Sequence, residues 1–130
     1  NAAEVLSHPF FFTTSQKMEL LSHAKEFLEK NKNSGIYNFF NEKSNLISGE
    51  NWTLFIDQRL FNEAVLRSDY DGRLASDLVR FIRNKWEHPG FTLDGQKLVG
   101  DQYFSYFHKL FPNLFLYTYY FLDRYDFDLS

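Results

Sequence analysis

The stretch LASDLVRFIRNKWEH, Leu74 to His88, decides the fold. Its apolar residues return every three or four positions, which is the spacing of one face of an amphipathic α-helix. The pattern predicts a helix from Leu74 to Glu87, and Pro89-Gly90 directly behind it is a dipeptide that ends helices. The predicted inward face consists of Leu74, Leu78, Val79, Ile82 and Trp86.

The same helical spacing continues on the N-terminal side of this stretch. Thr13 and Gln16 have the spacing of a capping box, which predicts the start of a helix. A polar break follows from Lys30 to Gly35, and then a short helix around Ile36–Phe40, which the Asn-, Ser- and Gly-rich stretch through Asn51 ends. The apolar stripe behind the capping box consists of Met18, Leu20, Leu21, Ala24, Phe27 and Leu28. A further helix is predicted from the spacing of Ile56, Leu60, Phe61, Ala64 and Val65.

Two more helices are predicted on the C-terminal side. Tyr70-Asp71-Gly72 is a turn ahead of the central helix, and Tyr103 to Phe111 has helical spacing. Pro112 starts or kinks a last helix that runs to about Leu122. Because helical periodicity occurs in almost every segment, the sequence predicts an all-α fold, a single helical bundle.

Length and composition exclude several classes of function for this chain. The chain has 130 residues, which suits one domain, and holds 14 Lys+Arg against 17 Asp+Glu, a net charge of −3. Because it has no cysteine, a disulfide framework, a thiol nucleophile and cysteinyl zinc or iron–sulfur sites are excluded. No apolar run approaches the roughly 20 residues of a membrane span and no signal-peptide pattern opens the chain, so we expect no direct membrane contact.

The charge is distributed unevenly along the chain. The net value alone gives no reason to expect nucleic acid as a partner. Arg67 to Lys85, however, holds five basic and three acidic side chains, a local excess of +2, whereas Asp123 to Ser130 holds three aspartates and one arginine. The central helix is therefore the candidate surface for a phosphate backbone, and we expect one copy of the chain to bind nucleic acid only weakly.

The central helix also carries side chains suited to chemistry. At 100° per residue, the stripe opposite the Leu and Ile side chains consists of Asp77, Phe81, Asn84 and His88, flanked by Arg80 and Arg83. His88 stands at the helix C-terminus, where the dipole favours imidazolium, the form that a general acid needs. The Arg83 guanidinium can fork onto two phosphate oxygens, and Asn84 can orient the His88 ring or donate to phosphate. Because Arg83 and His88 are about 140° apart around the helix, they converge only at its end or across two chains.

Each of these residues also has a purely structural interpretation. An arginine on a solvated face and a histidine at a helix end are common without any catalytic role. Asp77 is a first-turn carboxylate that helps a helix start, and Trp52 is a core aromatic by default. The other histidines, His8, His23 and His108, have no ligand spacing, so a metal site is not expected. Spacing alone therefore does not establish catalysis.

The run Asp77 to His88, DLVRFIRNKWEH, resembles the signature of the KEN (kinase-extension nuclease) family, which includes the unfolded-protein-response sensor kinase/endoribonucleases and ribonuclease L. Arg83 to His88 also fits the Arg-x4-His pattern of HEPN nucleases. Glu4 to Phe11 is similar to the end of a protein-kinase catalytic domain, Asn51-Trp52 to the family's central tryptophan segment, and Asp101 to Tyr119 to its closing helix pair. These segments together span nearly the whole chain, and they occur in the same order as in the family.

The resemblance implies a role for each residue of the site. His88 would be the general acid, Arg83 the phosphate clamp and Asn84 a ligand of the scissile phosphate region. Tyr70, eighteen residues before His88, falls where the sensor enzymes place a tyrosine proposed as general base. The positions that the family needs as supports of the site are Asp77 and Trp52.

The resemblance also implies a reaction and partners. Residues 1–12 would be the end of a protein-kinase domain, and residues 13–130 a KEN ribonuclease domain with the KEN/HEPN type of helical bundle. We expect a homodimer, in the cytoplasm or at the cytosolic face of the endoplasmic reticulum, that cleaves single-stranded or loop RNA without metal or other cofactor. The ribose 2′-OH would be the nucleophile, leaving a 2′,3′-cyclic phosphate and a 5′-OH. The alternative is a catalytically inactive dimerisation or regulatory extension of a protein kinase.

Some features leave the base and the substrate preference open. A phenol with a pKa near 10 is a poor base at neutral pH unless cations lower it. Tyr70 is therefore either a base activated by Arg83 or by a partner's basic groups, or it only positions the 2′-OH. Phe12 replaces the family's usual Trp, Glu87 stands where the sensor enzymes often have a second His, and the segment 89–102 is short beside theirs. Because the segment 89–102 helps to choose the RNA in this family, the resemblance leaves the substrate preference open.

Overall fold

The computed structural model describes residues 12–65, 69–87, 92–93 and 96–125, and within these the all-α prediction is confirmed. The helices are α1 Thr14–Lys30, α2 Gly35–Glu42, α3 Ser44–Ser48, α4 Gln58–Val65, α5 Ala75–Glu87, α6 Asp101–Leu110 and α7 Leu114–Tyr125, with a 3₁₀ turn at Trp52–Leu54. Two short strands, β1 Thr92–Leu93 and β2 Gln96–Lys97, pair antiparallel between α5 and α6. They add a small hairpin to a helical bundle.

Helix α5, built from the stretch between Leu74 and His88, lies at the centre of the bundle. It packs against α1, α2 and α3, while α7 packs against α1 and α3. Its buried side chains point in several directions around its axis, so neighbouring elements enclose it on most sides. They are Ala75, Ser76, Leu78, Val79, Phe81 and Ile82. The helix is described as far as Glu87, and the predicted Pro89-Gly90 stop lies outside the described residues.

Phe81 is buried on the side of α5 that lies opposite the predicted apolar face. The helical wheel places it on one stripe with Asp77 and Asn84, and its side chain is completely buried. The rings of Trp52 and Tyr70 lie 5.3 and 5.2 Å from the Phe81 ring, measured between centroids. Other segments of the chain therefore cover this side of α5. A wheel shows which residues share a face, but not which faces the rest of the fold covers.

Helix α1 begins as its sequence predicts. The Thr13 hydroxyl accepts a hydrogen bond from the Gln16 backbone N–H at 3.2 Å, and the Gln16 side-chain oxygen accepts one from the Thr13 N–H at 2.8 Å. This capping box satisfies N–H groups that the start of a helix leaves without an intrahelical partner. Met18 and Phe27 of the predicted stripe pack against the core. The fully buried members are Leu20, Leu21, Ala24 and Leu28.

Helix α3 forms where the sequence predicts only a polar stretch. Ser44 and Ser48 are buried, and their hydroxyls donate to the backbone oxygens of Asn41 and Ser44 at 2.8 and 2.9 Å. Ile47 on the same turn is also buried. Because the serine hydroxyls are satisfied by the local backbone, they enter the core without an unpaired polar group. The Asn-, Ser- and Gly-rich composition predicts a loop here, because composition alone does not show that these hydroxyls donate to the local backbone.

Side chains of α2 and α3 accept hydrogen bonds from the first backbone N–H groups of α5. The Ser44 hydroxyl oxygen accepts from the Ala75 N–H at 3.0 Å, and the Asn41 side-chain oxygen accepts from the Ser76 N–H at 2.9 Å. The first N–H groups of a helix lack intrahelical acceptors. These two contacts therefore cap α5 from across the bundle and fix its position against α2 and α3.

The last two helices supply most of the aromatic core. Helix α6 begins and ends slightly earlier than the predicted Tyr103–Phe111, and α7 extends beyond the predicted end near Leu122, with Pro112 in the turn between them. The buried aromatic side chains of this region are Tyr103, Phe104, Phe107, Phe111, Phe115 and Phe121. Among the described helices, none is long and apolar enough to cross a membrane.

Replacing Phe81 with alanine should destabilise the fold strongly. Truncating a fully buried phenylalanine leaves a cavity and lowers the free energy of unfolding by about 3–5 kcal/mol. Phe55→Ala is the matched control, because the Phe55 side chain is 54% exposed and the same truncation should cost about 1 kcal/mol. Denaturant unfolding followed by circular dichroism measures both losses. Equal losses in the two variants would contradict the assigned burial of Phe81.

Candidate active site

Five of the six predicted site residues lie in the described part of the chain. They are Trp52 in the 3₁₀ turn, Tyr70 ahead of α5, and Asp77, Arg83 and Asn84 on α5. The predicted general acid, His88, lies outside the described residues, as do residues 1–11 of the predicted kinase end. Residues 69–74, which lead into α5, are called the Tyr70 segment below.

Tyr70 and Asn84 are joined by a hydrogen bond. The Asn84 side-chain amide donates to the Tyr70 hydroxyl oxygen at 3.1 Å, although the two residues are fourteen positions apart. Both side chains are half-buried. Two residues that the sequence selects on separate grounds are therefore neighbours, and the phenol oxygen has a fixed donor.

The Tyr70 ring is held on several sides. It meets the rings of Phe81 and Trp52 edge to face, with centroids 5.2 and 6.1 Å apart. The guanidinium carbon of Arg80 lies 4.3 Å from the Tyr70 centroid, which is a cation–π contact. Since edge-to-face and cation–π contacts both depend on ring orientation, they fix the plane of the ring as well as its position.

Trp52 ties the Tyr70 segment to the core. Its side chain is completely buried, and its indole N–H donates to the backbone oxygens of Asp71 and Leu74 at 3.1 and 3.0 Å. Its backbone N–H donates to the Gly72 oxygen at 3.0 Å. The same tryptophan therefore packs in the core and bonds the segment that carries Tyr70.

Asp77 binds the same segment from the other side. Its carboxylate accepts from the Asp71 backbone N–H at 2.7 Å and pairs with the Arg80 guanidinium at 3.6 Å. The Asp77 side chain is only 17% exposed, so these contacts are less screened than surface ion pairs. Asp77 is thus more than a first-turn carboxylate, since it links the start of α5 to the chain in front of it.

Arg83 faces a different neighbour. Its Nε donates to the Ser22 hydroxyl oxygen on α1 at 2.6 Å. Consecutive residues on an α-helix point about 100° apart, so Arg83 turns toward α1 while Asn84 turns toward Tyr70. The structure therefore brings together Trp52, Tyr70, Asp77 and Asn84, and places Arg83 against α1.

The sequence assigns no role in the site to three residues that hold this arrangement: Ser22, Gly72 and Arg80. Nothing in the local sequence marks Ser22, which is 61 positions from Arg83. Gly72 is visible in the sequence only as part of a turn. Its backbone runs so close to Asn51 that an added Cβ would lie 1.9 Å from the Asn51 side-chain oxygen.

A groove of about 750 Å³ opens beside Tyr70, between α1, α2 and the Tyr70 segment. Its charged lining is mixed, with cations from Lys25, Lys32 and Arg80 and carboxylates from Glu29, Asp69, Asp71 and Asp77. Within the described ranges, no group of three or more His, Cys, Asp and Glu side chains could hold a metal ion. Because its carboxylates balance its cations, the groove wall of one copy is not a strongly basic surface.

Asp71 and Arg73 form an ion pair at the outer edge of the groove. Both nitrogens of the Arg73 fork donate to the Asp71 carboxylate at 3.1 Å. This hydrogen bonding lowers the pKa of the Asp71 carboxyl below its ordinary value and raises the pKa of Arg73. Since the Arg73 side chain is 81% exposed, solvent screens the pair, and its contribution to stability is small.

The ribonuclease 2-5A family model matches residues 15–128. The chain belongs to this family. The matched span contains all six predicted site residues, from Trp52 to His88. The predicted resemblance to the KEN nucleases is thereby confirmed.

Relatives of this ribonuclease 2-5A chain carry kinase and nuclease names. "Probable serine/threonine-protein kinase ireA" of Dictyostelium discoideum is 35% identical over 127 residues, 92% of this chain. "Sensor for unfolded proteins in the ER ire1" of Schizosaccharomyces pombe is 30% identical over 88% of the chain. "Serine/threonine-protein kinase/endoribonuclease IRE2" of Homo sapiens is 27% identical over 91% of it. The chain spans only 13%, 11% and 13% of the lengths of these three relatives.

Replacing Gly72 with alanine should disturb the Tyr70 segment. The new Cβ would overlap the Asn51 side-chain oxygen, so the segment or Asn51 has to move, at a cost of about 1–3 kcal/mol in the free energy of unfolding. The matched control is Gly35→Ala, because a Cβ at Gly35 meets nothing within 4 Å. That variant should stay within about 0.5 kcal/mol of the unmodified chain or gain slightly. Thermal unfolding of both variants measures the difference, and an unchanged Gly72→Ala would contradict the close approach.

Proposed function

We propose that this ribonuclease 2-5A domain is a metal-independent endoribonuclease that cleaves single-stranded or loop RNA. The observation that carries the proposal is the hydrogen bond between Asn84 and Tyr70. It joins two of the residues that the family resemblance selects, inside a chain whose family match covers residues 15–128. Relatives with endoribonuclease in their names support the same class of reaction.

The proposed reaction is an internal transesterification. The ribose 2′-oxygen forms a bond to phosphorus as the bond from phosphorus to the 5′-oxygen breaks, leaving a 2′,3′-cyclic phosphate and a 5′-OH. The 2′-OH proton passes to a general base, the role proposed for Tyr70, and His88 donates a proton to the departing 5′-oxygen. The Asn84 amide, which donates to the phenol oxygen at 3.1 Å, holds that oxygen in position.

Arg83 is proposed to stabilise the charge on the phosphate. A guanidinium offers five donors in a rigid planar fork, which suits the oxygens of a five-coordinate phosphorus. The bond from Arg83 Nε to Ser22 sets the orientation of that fork in the folded chain. Such a clamp is held before substrate arrives, which is how electrostatic stabilisation becomes effective in an enzyme.

We propose that the active form is a homodimer. Arg83 and the Tyr70–Asn84 pair lie on different sides of α5, so two chains together can present them to one RNA. The charges favour the same conclusion, because Arg73, Arg80 and Lys85 are each paired with a carboxylate of their own chain. Two apposed copies double the local positive field that attracts RNA.

We also propose that the domain works beside a protein kinase. Residues 1–12 would be the end of the kinase domain and residues 13–130 the nuclease, in the cytoplasm or at the cytosolic face of the endoplasmic reticulum. The support is the set of kinase names among the relatives, together with the small share of each relative that the chain spans.

Substituting His88 with alanine should abolish cleavage of a stem-loop RNA, because no proton donor would remain for the leaving oxygen. The expected loss is at least about 100-fold, the lower range for a general acid. His108→Ala is the matched control, since His108 is exposed on α6 and its loss should leave the rate unchanged. Circular dichroism checks that both variants keep their helices. Undiminished cleavage by His88→Ala would contradict the assignment of His88 as the general acid.

Cleavage should persist in EDTA and should rise more than linearly with protein concentration. While most chains are monomers, the concentration of the dimer rises more steeply than the total protein concentration, and the cleavage rate follows the dimer. The assay compares initial rates over a range of concentrations, with and without EDTA. Loss of all activity in EDTA would contradict metal independence, and a strictly linear rise would contradict the dimer. Absence of cleavage at every concentration would instead support a catalytically inactive extension.

A further inference from the structure

Arg80 makes three contacts around Tyr70. Its guanidinium carbon lies 4.3 Å from the centroid of the Tyr70 ring. Its Nη2 donates to the backbone oxygen of Asp69, the residue directly before Tyr70, and pairs with the Asp77 carboxylate at 3.6 Å. The Arg80 side chain is 26% exposed, and its bond to the exposed residue Asp69 lies at the surface.

The Arg80–Asp77 pair therefore binds the backbone on both sides of Tyr70 in the sequence. Arg80 binds the backbone before Tyr70, through Asp69, while Asp77 binds the backbone after it, through the N–H of Asp71 at 2.7 Å. Arg80 and Asp77 are three residues apart on α5 and thus adjacent on its surface. With the Tyr70 hydroxyl on Asn84, the backbone, the ring face and the hydroxyl of Tyr70 are all fixed by one helix.

We propose that Arg80 is a positioning residue for the ribonuclease reaction, acting through Tyr70 and not through the RNA. This inference rests on the proposed function. The guanidinium is already engaged by a ring, a carbonyl oxygen and a carboxylate, and moving it to an RNA phosphate would release the ring that it covers. Its role is to hold the phenol in the orientation that reaction at the 2′-OH requires.

The two possible roles of Arg80 predict different kinetics. A residue that binds phosphate contributes to affinity, so its loss raises KM and weakens the dependence of binding on salt. A residue that positions a catalytic side chain contributes to the chemical step, so its loss lowers kcat. A misplacement of about 1 Å is enough to lower a rate by about 100-fold.

The test begins with Arg80→Ala in the 130-residue chain, assayed on a stem-loop RNA. We expect kcat to fall by about 10- to 100-fold, with KM and the salt dependence of KM changed by less than about twofold. Arg59→Ala is the control for the loss of one positive charge, because Arg59 also pairs with a nearby carboxylate, that of Asp57, and is not among the residues that line the groove beside Tyr70. It should change neither parameter. Arg80→Lys, which keeps the charge but not the planar group, should give an intermediate kcat, and it also serves if the alanine variant fails to fold.

A double-mutant cycle with Tyr70→Phe identifies the residue through which Arg80 acts. If Arg80 works by placing the Tyr70 hydroxyl, Arg80→Ala should lower kcat by less than about threefold once that hydroxyl is absent. An equal loss of kcat in both backgrounds would overturn the inference, as would a Tyr70→Phe variant with full activity. A rise in KM without a fall in kcat would also overturn it and would make Arg80 an RNA ligand.

The outcomes separate this inference from the proposed function. If the unmodified chain cleaves no RNA at any concentration, the proposed function fails and the inference fails with it. If the unmodified chain cleaves RNA and Arg80→Ala cleaves it equally well, only the inference fails.

Discussion

Asp77 accepts a hydrogen bond from the Asp71 amide at 2.7 Å and pairs with Arg80 at 3.6 Å, and the rest of the site depends on these two contacts. They bind the Tyr70 segment to α5 while the Trp52 indole binds the same segment from the core. Hydrogen bonds to a charged group that is largely removed from solvent are worth more than those at a surface. Tyr70 is therefore placed beside Asn84 by the fold itself, before any substrate arrives.

This arrangement requires α5 to be fixed relative to the other helices. The fixation comes from apolar burial on most sides of α5 and from Asn41 and Ser44, which accept the N–H groups of Ser76 and Ala75 at its start. A rigid helix in the core is a better support for a catalytic side chain than a loop, because buried neighbours restrict its rotamers. Packing and the proposed catalysis thus use the same element.

The sequence predicts the helices well because apolar spacing and the capping box at Thr13 are local signals. It also selects Trp52, Tyr70, Asp77, Arg83 and Asn84, which the structure places in or around one helix. What it does not predict are contacts between distant segments, such as Arg83 with Ser22 and Arg80 with the Tyr70 ring. The same limitation explains why the burial of Phe81 and the formation of helix α3 are not predicted, since both depend on what the rest of the chain covers or accepts.

The central claim is that this chain cleaves RNA through the ribose 2′-OH, with protein side chains alone supplying acid, base and charge stabilisation. The chemical ends of the cleaved RNA test it most directly. The account predicts an upstream fragment that ends in a 2′,3′-cyclic phosphate and a downstream fragment that begins with a 5′-OH. Mass spectrometry of the two fragments distinguishes these ends from the alternatives. Fragments with a 3′-OH and a 5′-phosphate would contradict the account, because those ends require water and not the 2′-OH as the nucleophile.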